Sequence, residues 1–283
     1  MTTQLLIYET VVPLSFGRHR DSYVEIGANY SFSSKVNSVP LMAVEFPNAA
    51  PEYAVVFAGP PDNIMPAVIL GMRGEENLYV SKDTSWQAKY IPAFVRRYPF
   101  VFSNTADGQR FLLCIDEAFQ GFNREGRGQR LFADDGKPTP YVDNILKFLQ
   151  EFQAQFLRTK AFCKKVQDLD LLEPMRAQAE MRSGEKLSLS GFMAINRAKL
   201  KAVPGDKLAE LAKTDELELL YLHLQSMRNF TGLTDRLAVT HADKTASDAD
   251  AAAAAPASAP AADANNGKSK PSGRNRVKEA ATE

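Results

Sequence analysis

The sequence has few of the residues that most readily mark a reactive or metal site. It holds two cysteines, three histidines and one tryptophan in 283 residues. Cys114 and Cys163 lie in apolar runs (FLLCIDE and KAFCKKV) without CxxC spacing, which fits a reducing compartment and excludes a disulfide framework of the small secreted type. His19, His223 and His241 form no HExxH and no Cys/His quartet, so no metal site is expected. GxSxG and a glycine loop ending in GK[ST] are both missing, which removes the serine-nucleophile elbow and the nucleotide phosphate loop. No catalytic residue and no cofactor is therefore assigned. No apolar run reaches the ~20 residues of a membrane-spanning helix, and Glu9 interrupts an N-terminus without a basic n-region, so a cleaved secretory signal is not expected. Cytoplasmic residence is the default. An excess of one charge is missing too: 34 basic and 34 acidic residues give no general attraction to nucleic acid or anionic membrane.

What is present is an ordinary globular composition, 45% hydrophobic and 24% charged. Up to residue 135 short apolar runs are broken by Gly, Pro and Asn: 40–46, 52–59, 67–73, 76–81, 99–103, 110–116 and 129–134. Their connections are too short for crossover helices, so antiparallel pairing is expected, with Gly74 in a hairpin turn between the runs at 67–73 and 76–81. The stretch 85–97 has helical character, but Pro92 sits too deep in it for one regular helix, so it is expected to be short or broken. From Thr139 the period changes. Thr139 suits an N-cap, Pro140 the first helical position and Asp143 the first turn; Val142, Ile145, Leu146, Leu149, Phe152, Phe156 and Leu157 then make one apolar face of a helix reaching about residue 165. A strand-like run at 184–196 follows, then two short helices divided at Pro204 and Gly205, and a last helix at 215–230 apolar enough to be buried on two sides. The fold class is α+β: a mainly antiparallel β-rich region, 1–135, packed with a mainly helical region, 136–239, in one continuous domain. Residues 240–283 are Ala/Pro-rich, lack aromatics and are expected to be disordered. Their basic cluster Lys268, Lys270, Arg274, Arg276 and Lys278 is the one feature that suits nucleic acid or anionic lipid.

The candidate ligand-binding residues are His19, Glu45, Trp86, Arg96 and Arg97. His19, in GRHRD, reads as a surface turn among charges. Arg96 and Arg97 sit among the aromatics of WQAKYIPAFVRRYPFVF. Either they capture an anion or they stack on aromatics and pair internally with a residue such as Glu45 or Asp116. The loop GFNREGRGQRLF places Gly121, Gly126 and Gly128 among Arg124, Arg127 and Arg130, which suits an anion nest or a mobile charged connection. Asp116 and Glu117 are neighbours on a strand and so face opposite sides, a poor acid/base pair.

VPLMAVEF, ENLYVS, WQAKYIPAFVRRYPF, LFADDGKPTP, LSGFMAIN and YLHLQSMRN, in that order, resemble the SapC family over about residues 4–237. The resemblance implies a bacterial origin and a connection to paracrystalline surface layers, and it transfers no catalytic residues. The absence of every recognisable catalytic constellation favours a non-enzymatic binding or assembly protein, whose partner is a protein or a small anionic ligand. The alternative is a cytoplasmic enzyme or small-ligand sensor with a pocket near residues 86–102.

Overall fold

The computed structural model describes residues 6–104, 110–181 and 184–238. Its strands are β1 (Val11–Pro13), β2 (Tyr23–Val24), β3 (Ser38–Pro40), β4 (Ala54–Ala58), β5 (Met65–Ile69), β6 (Phe100–Asn104), β7 (Phe111–Asp116), β8 (Phe122–Asn123), β9 (Gln129–Arg130), β10 (Leu172–Glu180) and β11 (Lys186–Ile195). They form three antiparallel sheets, ordered β1-β7-β6, β8-β2-β9 and β10-β11-β4-β5-β3. The helices are α1 (Phe16–His19), α2 (Phe46–Ala49), α3 (Ala93–Arg96), α4 (Pro140–Asp168), α5 (Arg197–Lys201), α6 (Gly205–Lys213) and α7 (Glu216–Ser226), and the chain is helical again over 229–238. The α+β class expected from the sequence holds, with antiparallel sheets dominating the first half and helices the second. The disorder expected over 240–283, and with it the basic cluster from Lys268 to Lys278, lies outside the described residues.

The elements form where local chemistry and burial agree. Every side chain of β4 is buried or nearly so, as a central strand requires: Ala54, Val55, Val56 and Phe57 lie at 2% exposure or less. α4 begins at Pro140, where the missing N–H costs nothing, and its 29 residues correspond to about 43 Å. That length lets it serve two hydrophobic clusters. Val142 and Leu149 pack with Val24, Phe100, Ile115, Leu131 and Phe132, while Phe152, Phe162, Cys163 and Val166 belong to the larger core around β4, β5 and α7. Cys114 and Cys163 are both buried and free, and burial pushes the Cys163 thiol up to about 12. The apolar α7 packs against α2, α6, β4 and β11, leaving Glu218, Tyr221 and Gln225 on an exposed stripe.

Three local expectations fail for identifiable reasons. The run 40–46 is not a strand beyond Pro40: a 3-10 turn, Ala43–Glu45, leads into α2, with Pro47 in a first-turn position that a helix tolerates. The run 76–81 forms only an isolated bridge from Val80 to Trp86, because the Leu78 and Gln87 amides bond singly to the Leu70 and Tyr79 carbonyls instead of entering a ladder. Without that strand there is no hairpin at Gly74; β5 lies between β3 and β4. The run 129–134 shrinks to Gln129–Arg130, since the chain turns back through the Ala133 N–H to the Lys137 carbonyl. Conversely, β10 forms from LEPMRAQAE, a segment with no β-branched residue, as the outer strand of a hairpin with β11.

Candidate functional site

Apart from the single bridge at Trp86, residues 86–92 have no helix or sheet to satisfy their backbone, yet they adjoin the main core, so their polar groups need other partners. Side chains supply them. Glu52 accepts from the Lys89 and Tyr90 amides, both at 2.9 Å. Glu45, 4% exposed, accepts from the Tyr90 hydroxyl and the Ala93 amide through one oxygen, both at 2.7 Å, and from the Met42 amide through the other at 2.8 Å. Ala93 is the first residue of α3, so a single carboxylate closes the start of that helix and of the 3-10 turn before α2. The Trp86 indole N–H donates to the Tyr53 hydroxyl at 2.8 Å, and that hydroxyl donates to the Tyr90 carbonyl. Arg236, from the C-terminal helical segment, donates to the Gln87 carbonyl at 2.9 Å and lies over the Tyr79 ring, 4.4 Å from its centroid.

The two arginines separate across α3. Arg96 is exposed; its Nε donates to the Ile91 carbonyl at 2.9 Å, and its guanidinium lies 5.7 Å from the Tyr90 and 5.5 Å from the Phe148 ring centroids. Arg97 is 3% exposed, with its guanidinium 4.3 Å from the Phe94, 4.9 Å from the Phe152 and 5.6 Å from the Tyr8 ring centroid. The Tyr8 hydroxyl accepts from Arg97 and donates to the Phe100 carbonyl at 2.7 Å; burial pushes its pKa up to about 12, against the pull of the guanidinium. Burial also lowers the Arg97 pKa. The carboxylates suggested as partners for these arginines are engaged with backbone. Glu45 takes the Met42 and Ala93 amides, and Asp116, fully buried, accepts from the amides of Glu9 and Thr10 at 2.8 Å and of Ala118 at 3.0 Å.

Thus Glu45, Trp86, Arg96 and Arg97 border the same segment, whereas His19 lies elsewhere. The surface position expected for His19 is corrected: its side chain has no exposure. Residues 16–20 wind into a helical turn that sends Arg18 and Arg20 outward and the imidazole inward toward Phe122. Its Nε2 lies 3.1 Å from Glu117, whose carboxylate also takes a two-pronged contact from Arg18 at 2.7 and 2.5 Å. Those bonds from Arg18 hold the Glu117 carboxyl below the usual range. His223 is a core histidine: Nε2 accepts from the Ile195 amide at 3.0 Å, and burial lowers its pKa to about 4.

The glycine-arginine loop is built for close packing against β2. A Cβ on Gly121 would stand 2.2 Å from the Glu25 carbonyl oxygen, and one on Gly128 (φ +82°) 2.4 Å from that of Val24. Arg127 pairs with Glu25 and Glu125, and Arg130 with Asp134. Among the described residues no three His, Cys, Asp or Glu side chains converge as a metal site, and no helix is long and apolar enough to cross a membrane. Two shallow depressions, each of about 390 Å³, lie away from the 86–102 block: one between residues 61–64 and α4, the other at the bend of the β10–β11 hairpin. Sequence reasoning missed Glu52, Tyr53 and Arg236. The signal for them is the unstructured stretch itself, whose amides and carbonyls require side-chain partners.

A comparison with curated proteins and one with solved structures return no match. The SapC family model matches residues 14–233, from just after β1 to the C-terminal helical segment and across the whole pinned block. This chain belongs to the SapC family.

Proposed function

We propose that the chain acts as a non-enzymatic binding or assembly protein, connected to the bacterial cell surface, rather than through a reactive pocket. One observation carries this: Glu45, Trp86 and Arg97, three of the candidate groups at the 86–102 block, are engaged inside the fold. Glu45 serves three donors, the Trp86 indole serves Tyr53, and Arg97 is enclosed by three aromatic rings. A group already bonded on all sides must break native bonds to engage a substrate, which opposes a catalytic role. A binding protein needs only a rigid block and its exposed surroundings.

The test is fractionation of the producing bacterium with protease added to intact cells. Cleavage of the endogenous chain on intact cells is the expected result. Protection, with all protein in the cytoplasm, refutes the surface connection. Arg96 supports a second reading, a sensor of a small anionic ligand in the cytoplasm, since the residue is exposed and its guanidinium lies beside the Tyr90 and Phe148 rings. Calorimetric titration with inorganic phosphate and with citrate separates the two: heat of binding that is lost in Arg96→Ala supports the sensor, and no heat refutes it for these anions.

A further inference from the structure

The five-stranded sheet ends in an open edge. β10 is its outermost strand and, among the described residues, has no neighbour on its outer side. The hairpin it makes with β11 also projects beyond β4, which pairs with β11 only at Phe192 and Met193. Beyond the register shift between Met175 and Ala177 the hairpin has two distinct faces. Ala177, Ala179, Leu187 and Leu189 pack toward the core, Gln178, Glu180, Lys186 and Ser188 are exposed, and Arg73 ties the hairpin to the body through both oxygens of Glu185 at 2.9 Å. A nine-residue strand with an open ladder is a template for another strand.

We propose that the partner is a second copy of this chain, its β10 paired antiparallel to the first about Gln178 so that the two sheets become one. This rests on the assembly role above and names its partner. Symmetry and charge select the register. Directly opposed residues in an antiparallel pair share a face, so a two-fold pairing of identical strands must centre on one residue that opposes itself. Centres at Glu173, Arg176 or Glu180 set like charges against each other, and Pro174 has no N–H to give. Of the remaining centres within β10, Gln178 alone sets opposite charges together: Arg176 of each copy faces Glu180 of the other, twice. The inner face then matches Ala177 with Ala179, and Met175 meets Met181 at either end. Met175 is 40% exposed, a large apolar side chain that this pairing covers. The same charges that favour this register penalise the others and deter unrelated edges.

The test is sedimentation of the full chain over a range of concentrations, with Arg176→Glu, Glu180→Arg and an equimolar mixture of the two variants. Both positions are exposed, and the ion pair of Glu180 among the described residues is a long one, 4.0 Å to Lys186, so the variants keep the fold, which circular dichroism verifies. Each variant alone opposes like charges twice, and its dimer weakens about tenfold or more. In the mixture the glutamate introduced at position 176 of one copy faces the arginine introduced at position 180 of the other. The first copy's native Glu180 faces the second copy's native Arg176, so a heterodimer forms with the native strength. A wild-type chain that stays monomeric, or a dimer indifferent to both substitutions, overturns the pairing. Neither outcome bears on surface exposure, which the protease experiment reads separately.

Discussion

Glu45 offers the sharpest way to separate scaffold from ligand site. Glu45→Ala leaves the Met42 and Ala93 amides and the Tyr90 hydroxyl without their acceptor. Hydrogen bonds to a charged group contribute about 1.5–3 kcal/mol each, net of its desolvation. The Tyr90 hydroxyl can rotate toward water, but the two amides are fixed by the backbone, so the cost is about 4 kcal/mol. Glu45→Gln keeps one oxygen, which suits Ala93 and Tyr90, and turns an NH2 toward the Met42 amide, donor against donor. That costs about 2 kcal/mol, one orphaned amide. For a folded region of this size the melting temperatures fall by about 8–16 °C and about 4–8 °C respectively. Urea unfolding followed by the fluorescence of Trp86, the chain's one tryptophan, measures both. Hydrogen exchange at Met42 and Ala93 should accelerate in the alanine variant and at Met42 alone in the glutamine variant. Stabilities within about 0.5 kcal/mol of the wild type for both variants would refute the scaffold role and leave Glu45 free for a ligand.

Arg97→Ala removes a buried side chain from between Tyr8, Phe94 and Phe152 and should cost about 2–3 kcal/mol, against under about 1 kcal/mol for the exposed Arg96→Ala; equal losses by urea unfolding would contradict the division of the two arginines across α3. His223 should make the fold acid-sensitive. Its folded pKa is about 4 against 6.5 for the unfolded side chain, so its contribution is complete above 6.5 and is lost as pH falls toward 4, where the unfolded chain binds a proton that the native state refuses. The shift corresponds to roughly 3 kcal/mol. His223→Gln, whose amide oxygen reaches the position of Nε2, should remove that part of the pH dependence; an unchanged acid slope in urea titrations would show that other groups cause it.

The sequence announces the elements whose pattern is local. Thr139, Pro140 and the apolar face from Val142 onward place α4 at its observed start, and the runs around β4, β5, β6, β7 and β11 are strands. The signal fails where long-range partners decide. PLMAVEF reads as a strand until Glu45 turns back to the Met42 amide and across to Ala93, 48 residues on. β10 has the composition of an exposed edge, with Glu173, Pro174 and Arg176, and its alternation rests on the small side chains of Ala177 and Ala179, which give little strand signal. The candidate site is half legible. The aromatic-arginine block is conspicuous in composition, but the acceptors that pin it are backbone-directed carboxylates, and no side-chain motif encodes which amide a carboxylate will find. His19 misleads because its charged neighbours disguise an inward-facing position.

The pairing of β11 with β4 has a consequence for synthesis. During translation β4 leaves the ribosome with β5 and β3, but the partners on its other side, β11 at Phe57 and Ala58 and the Ser226 hydroxyl at Val55, emerge only from Phe192 onward. Until then an apolar strand buried on both faces in the native state presents an open ladder to every other nascent chain. The interval between those two events is therefore the window in which this strand is open to misassociation. Slower misassociation, through cooler growth or added chaperone, should raise soluble yield more than any substitution that merely strengthens the finished fold.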